Sequence, residues 1–152
     1  MTKRSFRQAA AATIVASALA LIASHAAAAD KVKIGFVSTL SGPNAAIGGD
    51  IRDAFNLAIK LNDGKLGGLP AEVLVNDDQL KPENAKQVVE RYLRMDKVDF
   101  VTGAVFSNIV VAIAPDVLNA KTFFIAPNAG PALYSGAQCN PFFFVSSWPS
   151  EA

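Results

Sequence analysis

The sequence predicts an α/β protein with an open parallel sheet and helices on both of its faces. Short apolar runs of strand length alternate with segments whose apolar residues recur at helical spacing. Several of the runs, such as KIGFV and FFIA, are apolar at consecutive positions, so both faces of each strand are expected to be buried. Strands and helices that alternate in this way are typical of a parallel sheet between two helical layers.

Five strands are expected. They cover residues 31–38, 71–77, 98–105, 121–127 and 142–148. A long polar loop, NAGPALYSGAQCNP, separates the fourth strand from the fifth.

Three helices are expected between these strands. The first has one apolar stripe at i, i+3, i+4, i+7 and i+8, formed by Ile51, Ala54, Phe55, Ala58 and Ile59. The second begins at Pro82, with Glu83 in its first turn. The third covers residues 107–119, with a kink expected at Pro115.

The N-terminal segment has the three parts of a secretory signal peptide. Lys3, Arg4 and Arg7 are followed by the uncharged residues 9–23 and then by an A-x-A site at residues 27–29. The apolar run is shorter than the roughly 20 residues that span a bilayer. We therefore expect residues 1–29 to be removed, residues 30–152 to be exported to the periplasm, and no membrane span to remain.

Composition argues against several classes of function. Three of the 14 basic residues and none of the 13 acidic ones lie in the signal segment, so residues 30–152 carry a formal net charge of −2 and offer no basic patch for nucleic acid. The single histidine, His25, leaves with the signal. Neither G-x-S-x-G nor H-E-x-x-H occurs. We expect no enzyme activity, no metal site and no cofactor.

The loop SGPNAAIGG, between the first strand and the first helix, does not have the spacing of a phosphate-binding loop. Its glycines are Gly42, Gly48 and Gly49, so no G-x-G occurs, and Asp50 follows where a P-loop needs lysine. A structural connection accounts for most of this loop.

Ligands of open α/β sheets bind beyond the carboxyl ends of the strands. Ser107 and Asn108 stand there at the start of the third helix, where free N–H groups and the positive end of the helix dipole favour a carboxylate. The alternative is that Ser107 only caps the helix.

Two further places qualify as ligand contacts. Asn128, Ala129 and Gly130 follow the fourth strand, and their small size lets a ligand approach the backbone; the alternative is a simple turn. Trp148 follows the fifth strand, where it could stack on a ligand or pack beneath another part of the protein.

Five features in order resemble one family. A signal peptide precedes KIGFV with SGP, then VNDDQLKPENA, FVTGAVFSN and FFIAPNAGPAL. Together they resemble the periplasmic solute-binding proteins of ABC importers, in the branch for leucine, isoleucine and valine. The NAGP loop with Cys139 and FFFVSSW is most similar to the sub-branch associated with aromatic acids.

The resemblance implies a two-lobed clamp that closes on its ligand, with residues 30–152 as an incomplete N-terminal lobe. It implies a binding component that delivers branched-chain amino acids or related small carboxylates, including aromatic acids, to a membrane permease. A ligand-sensing receptor or regulator on the same clamp is the alternative.

The resemblance also bears on individual residues. It places a serine contact at Ser107 and further contacts on the loop of Asn128. A threonine or serine is usual near Gly130, so the glycine here weakens the case for α-amino recognition. Asp77 and Asp78 are interpreted as helix-capping or hinge-side acids.

The signal segment leads to the first prediction. Mass spectrometry of protein from the periplasm should find an N-terminus at Asp30 or within a few residues of it, because the A-x-A site ends at Ala29. An intact Met1 on protein from the cytoplasm would contradict export.

Overall fold

The computed structural model describes residues 30–128 and 130–147. Its centre is a six-stranded sheet with the strand order β2-β3-β1-β4-β5-β6. The strands are β1 (Val32–Ser38), β2 (Lys65–Leu66), β3 (Leu69–Asp77), β4 (Phe100–Thr102), β5 (Phe123–Ala126) and β6 (Phe143–Val145). All neighbouring strands are parallel except β2, which is antiparallel to β3.

Three α-helices connect the parallel strands. They are α1 (Ala45–Leu61), α2 (Pro82–Arg91) and α3 (Ser107–Asn119). A π-helical turn, Tyr92–Asp96, continues α2, and a short 3₁₀ helix, Ala132–Ser135, lies between β5 and β6.

The helices cover opposite faces of the sheet, as the alternation of elements predicts. Phe36 of β1 faces α1, where its ring lies 5.6 Å from the ring of Phe55. Val37, the next residue, joins the buried cluster that α2 and α3 form over the other face. Side chains of successive strand residues point to opposite faces, so the two helical layers are separated by the sheet.

Tyr92 fixes α2 to the centre of the sheet. Its side chain is fully buried, and its hydroxyl oxygen lies 2.6 Å from the Leu74 carbonyl oxygen and 2.8 Å from Asn76 Oδ1, both of β3. Burial raises the pKa of the Tyr92 hydroxyl, so it stays protonated. Gly35 leaves room for the ring, because a Cβ there would lie 2.5 Å from Tyr92 Cδ2.

The structure departs from the predicted elements in several places. Of the strand expected over residues 98–105, only Phe100–Thr102 forms a strand, which is β4. The strand ends at Thr102 because Gly103, with φ +96°, leaves the extended conformation. The short hairpin of β2 and β3 was not predicted, nor was the 3₁₀ helix in the loop after β5. In contrast, α3 covers the predicted residues 107–119 and contains Pro115.

Among the described residues, no helix combines the length and the hydropathy that crossing a bilayer requires.

Two adjacent glycines in α1 lead to a stability prediction. At Gly48 a Cβ would lie 2.8 Å from Ser38 Oγ and closer still to the Thr39 carbonyl oxygen, whereas at Gly49 it would meet nothing within 4 Å. We expect Gly48→Ala to lower the free energy of unfolding by about 1–3 kcal/mol through overpacking. The matched control Gly49→Ala should raise it by up to about 1 kcal/mol, because alanine is the better helix former.

Urea unfolding of both variants measures these changes in the free energy of unfolding. Equal free energies of unfolding for Gly48→Ala and Gly49→Ala would show that α1 does not pack tightly on the end of β1.

Candidate functional site

The parallel strands bring their carboxyl ends to one edge of the sheet, and the chain changes direction there between two neighbours. The chain leaves β1 for α1 on one face, and it leaves the adjacent β4 for α3 on the other face. Loops that diverge in this way open a crevice between them, which is where open α/β sheets bind ligands. The crevice between β1 and β4 is therefore the candidate site.

The start of α3 forms one wall of this crevice. Phe106, with φ −103° and ψ 142°, occupies the N-cap position, so Ser107 is the first helical residue and the capping alternative for it is wrong. Ser107 is half-buried, Asn108 is exposed, and neither side chain forms a hydrogen bond with another described residue. The first backbone N–H groups of a helix have no acceptor within the helix, and they carry its positive dipole end.

Asn128 holds this wall in place. Its side-chain Nδ2 donates to the Val105 carbonyl oxygen at 3.0 Å, directly before the start of α3. The carbonyl oxygen of Asn128 in turn accepts a hydrogen bond from the Ser147 hydroxyl. Asn128 thus joins the loops that follow β4, β5 and β6.

Gly130 is buried against β6. A Cβ there would overlap Val145 Cγ2 and lie 3.1 Å from Val145 Cγ1. Its small size therefore serves the packing of the loop on β6. Ala129 and Trp148, the other two predicted contacts, lie outside the described residues.

Two serines directly after β6, which were not among the predicted contacts, also bond the loop that follows β5. The Ser146 hydroxyl donates to the Pro127 carbonyl oxygen at 3.2 Å, and Ser147 bonds Asn128 as described above. The sequence signal for these two residues is a pair of hydroxyl side chains directly after a strand at the carboxyl edge.

Asp77 and Asp78 link the loops that follow β1 and β3. Asp77 Oδ1 accepts the N–H groups of Leu40 and Gln79, each at 2.8 Å. Asp78 Oδ1 accepts the Thr39 hydroxyl at 2.6 Å and the Leu80 N–H at 2.7 Å. The N-cap residue of α2 is Lys81, and no side-chain capping hydrogen bond is formed at the start of this helix. The helix-capping interpretation of these acids is therefore wrong.

The two carboxyls differ in their protonation behaviour. Burial alone would raise the pKa of Asp77, but hydrogen bonds from Ser41, Leu40 and Gln79 outweigh it and hold that pKa below its ordinary value. Burial raises the pKa of Asp78, and the charge of Asp77 adds to the rise, while the Thr39 hydroxyl and the Leu80 N–H offset part of it.

A surface depression of about 540 Å³ lies elsewhere, between α2 and the end of α3. Its lining includes Lys86, Glu90, Arg94 and Asp116. This place is at the amino edge of the sheet, away from the crevice, and its interleaved charges are typical of a solvated face. The candidate site is therefore chosen by strand topology and not by the size of a depression.

The structure also shows how metal-ligating side chains and the single cysteine are placed. The described residues contain no group of three or more His, Cys, Asp or Glu side chains placed to hold a metal ion. Cys139 is an exposed free thiol.

An open α/β sheet with a crevice at its carboxyl edge defines a class of small-molecule-binding lobes. Within that class, residues 31–152 match the model of the periplasmic binding protein family. The chain belongs to this family, as its motifs indicated.

Three relatives illustrate the match. The Leu/Ile/Val-binding protein homolog 6 of Brucella abortus is 26% identical over 117 residues, which are 76% of this chain and 30% of the relative. The solute-binding protein of an ABC transporter from Rhodopseudomonas palustris BisB5, solved with 3,4-dihydroxybenzoic acid, is 28% identical with a TM-score of 0.72, over 79% of this chain and 32% of that one. A solute-binding protein from R. palustris, solved with benzoate, is 28% identical with a TM-score of 0.74, over 78% and 33%.

The chain therefore spans about a third of the length of the relatives that it matches. The family is one of binding proteins, and the solved relatives named here are components of ABC transporters.

Replacing Asp77 or Asp78 with asparagine should change the free energy of unfolding, and the two changes should depend on pH in opposite directions. Asp77, whose pKa folding lowers, contributes stability that is present above its unfolded pKa of about 3.9 and lost as the pH falls through its folded pKa. Asp78, whose pKa folding raises, contributes stability that declines as the pH rises from about 3.9 through its folded pKa.

Urea unfolding from about pH 2.5 to pH 7 measures both contributions. Relative to wild type, Asp77→Asn should lose less stability below about pH 4 than above it, and Asp78→Asn should lose less above that pH than below it. If the stability lost by the two variants changed with pH in the same direction, the opposite pKa shifts assigned to Asp77 and Asp78 would be contradicted.

Proposed function

We propose that this chain supplies the first ligand-binding lobe of the extracytoplasmic binding component of an ABC importer. Residues 30–152 form this lobe of a two-lobed clamp, residues 1–29 direct it to the periplasm, and a membrane permease receives the ligand. Support comes from the family, from the transporter relatives and from the crevice at the carboxyl edge.

The start of α3 carries the proposal. It combines N–H groups without helical acceptors, a positive dipole end and the half-buried Ser107 at the crevice. A ligand carboxylate would accept hydrogen bonds from these groups, and charge-assisted bonds of this kind are stronger than neutral ones. Asn128 bonds the Val105 carbonyl oxygen shortly before the start of α3, so the donors would be preorganised before the ligand arrives.

The ligand we propose is a small carboxylate, drawn from the aromatic acids and the branched-chain amino acids. Three observations favour the aromatic acids. The solved relatives at 28% identity hold 3,4-dihydroxybenzoic acid and benzoate. Gly130 is packed against Val145 and carries no hydroxyl, whereas the family resemblance implies a threonine or serine near this position in proteins that recognise an α-amino group. In the first turn of α1, Ile47 is 46% exposed and supplies apolar surface beside the crevice.

Titration calorimetry on the full-length protein with benzoate and with isoleucine tests the proposal. Ser107→Ala should weaken benzoate binding by about 1.5–3 kcal/mol, the value of a hydrogen bond to a charged group. The matched control Ser135→Ala, an exposed serine in the 3₁₀ helix, should leave the affinity unchanged.

Benzamide provides a second control, because it has the shape of benzoate without the charge. Ser107→Ala should therefore affect benzamide less than benzoate. Unchanged benzoate affinity in Ser107→Ala would remove Ser107 from the site, and a wild-type protein that binds neither benzoate nor isoleucine would contradict the proposed function.

A further inference from the structure

The acid pair Asp77 and Asp78 reaches across the sheet edge to the loop that follows β1. Asp77 accepts the N–H of Leu40, and Asp78 accepts the hydroxyl of Thr39. The register of the sheet makes this possible, because Ser38 pairs with Asp77 and the two strands end level with each other. Each acid thus bonds the crevice loop of the neighbouring strand.

The same carboxylates hold a strained turn on their own side. Gln79 has φ +55° and Leu80 has φ +58°, a region that residues other than glycine rarely adopt. The N–H groups of these two residues donate to Asp77 and Asp78 respectively. The acid pair therefore sets the conformation of the turn after β3 together with the start of the loop after β1.

Stability alone does not account for a carboxylate at position 78. Asp78 is fully buried, and its Oδ2 has no hydrogen-bond partner among the described residues. Burying a carboxylate is costly unless it is well paired, and a neutral side chain would avoid that cost. The residue is better explained by what its Oδ1 organises, which is the Thr39 hydroxyl and the turn.

The far end of the crevice loop is fixed by packing. Gly48 lies so close to the Thr39 carbonyl oxygen and to Ser38 Oγ that a Cβ has no room. Residues 40–47 therefore run between two fixed points, the acid pair and the Gly48 contact. Residues 41–44 in this span are exposed and follow β1 at the carboxyl edge, while the start of α3 follows the neighbouring strand β4.

We infer that Asp77 and Asp78 are positioning residues, which fix the loop after β1 as the second wall of the ligand crevice without touching the ligand. This inference rests on the proposed function. It makes ligand affinity depend on the bond between Thr39 and Asp78 and on the bond between Leu40 and Asp77.

Paired variants of the full-length protein test the inference, with benzoate and isoleucine as the probes. Thr39→Val removes the hydroxyl at nearly constant shape, and we expect it to weaken binding about fivefold or more. Thr39→Ser keeps the hydroxyl and should bind within about twofold of wild type. Likewise, Asp77→Ala should weaken binding, whereas Asp77→Asn, which keeps an acceptor for Leu40, should restore most of it.

Asp99 offers the matched control. Its Oδ2 accepts the Lys33 N–H at 2.7 Å, which is the same kind of bond at the opposite edge of the sheet. Asp99→Ala should lower the unfolding temperature and leave the affinity unchanged. Hydrogen exchange of the Leu40 amide in the ligand-free protein should be faster in Asp77→Ala than in Asp99→Ala, by about tenfold.

The outcomes separate the two proposals. A wild type that binds a probe, with Thr39→Val and Asp77→Ala binding equally well, would overturn the positioning role and leave the proposed function standing. A wild type that binds neither probe would overturn the proposed function and the ligand role of the acids with it. Unchanged Leu40 exchange in Asp77→Ala would refute the fixing of the loop whatever binds.

Discussion

The parallel pairing of β1 with β3 and β4 is the constraint on which the rest of the structure depends. β1 pairs along its whole length with β3, from Val32 opposite Ala71 to Ser38 opposite Asp77, and with β4 through Ile34, Gly35 and Phe36. This register ends β1 and β3 level with each other and places the last residue of β4, Thr102, opposite Phe36, so the three carboxyl ends lie at the same edge of the sheet. A shift by one residue would exchange the two faces of a strand, so that Phe36 would leave α1 and Val37 would leave the core under α2 and α3.

Tyr92 and Gly35 stabilise this pairing on the face of the sheet that α2 covers. A phenol buried in an apolar core needs a partner for its hydroxyl, and Tyr92 finds it in the Leu74 carbonyl and the Asn76 side chain of β3. The ring lies over the centre of β1 because Gly35 has no side chain there. One residue thereby bonds β3 and packs on β1, which holds the two strands and α2 as one unit beneath the crevice.

Charge is distributed unevenly along the carboxyl edge. The positive dipole end of α3 follows β4, while the two carboxyls of the acid pair lie at the end of β3, on the other side of β1. For the carboxylate ligand proposed above, this arrangement favours placing the negative group at the start of α3 and the remainder of the ligand towards the apolar surface of α1. The loop after β1 lies between the two.

The sequence by itself determined the alternation of strands and helices, the full extent of α3 and the start of α2 at Pro82, because apolar periodicity and proline act locally. It also pointed to the family and to Ser107 at the crevice. Only the tertiary structure decided which partner each polar group meets. Asn128 holds Val105, Gly130 packs on Val145, and Asp77 and Asp78 bond the loop of another strand rather than their own helix. These contacts join residues more than ten positions apart, and they exist only once the parallel register has brought the strand ends side by side, which no local pattern encodes.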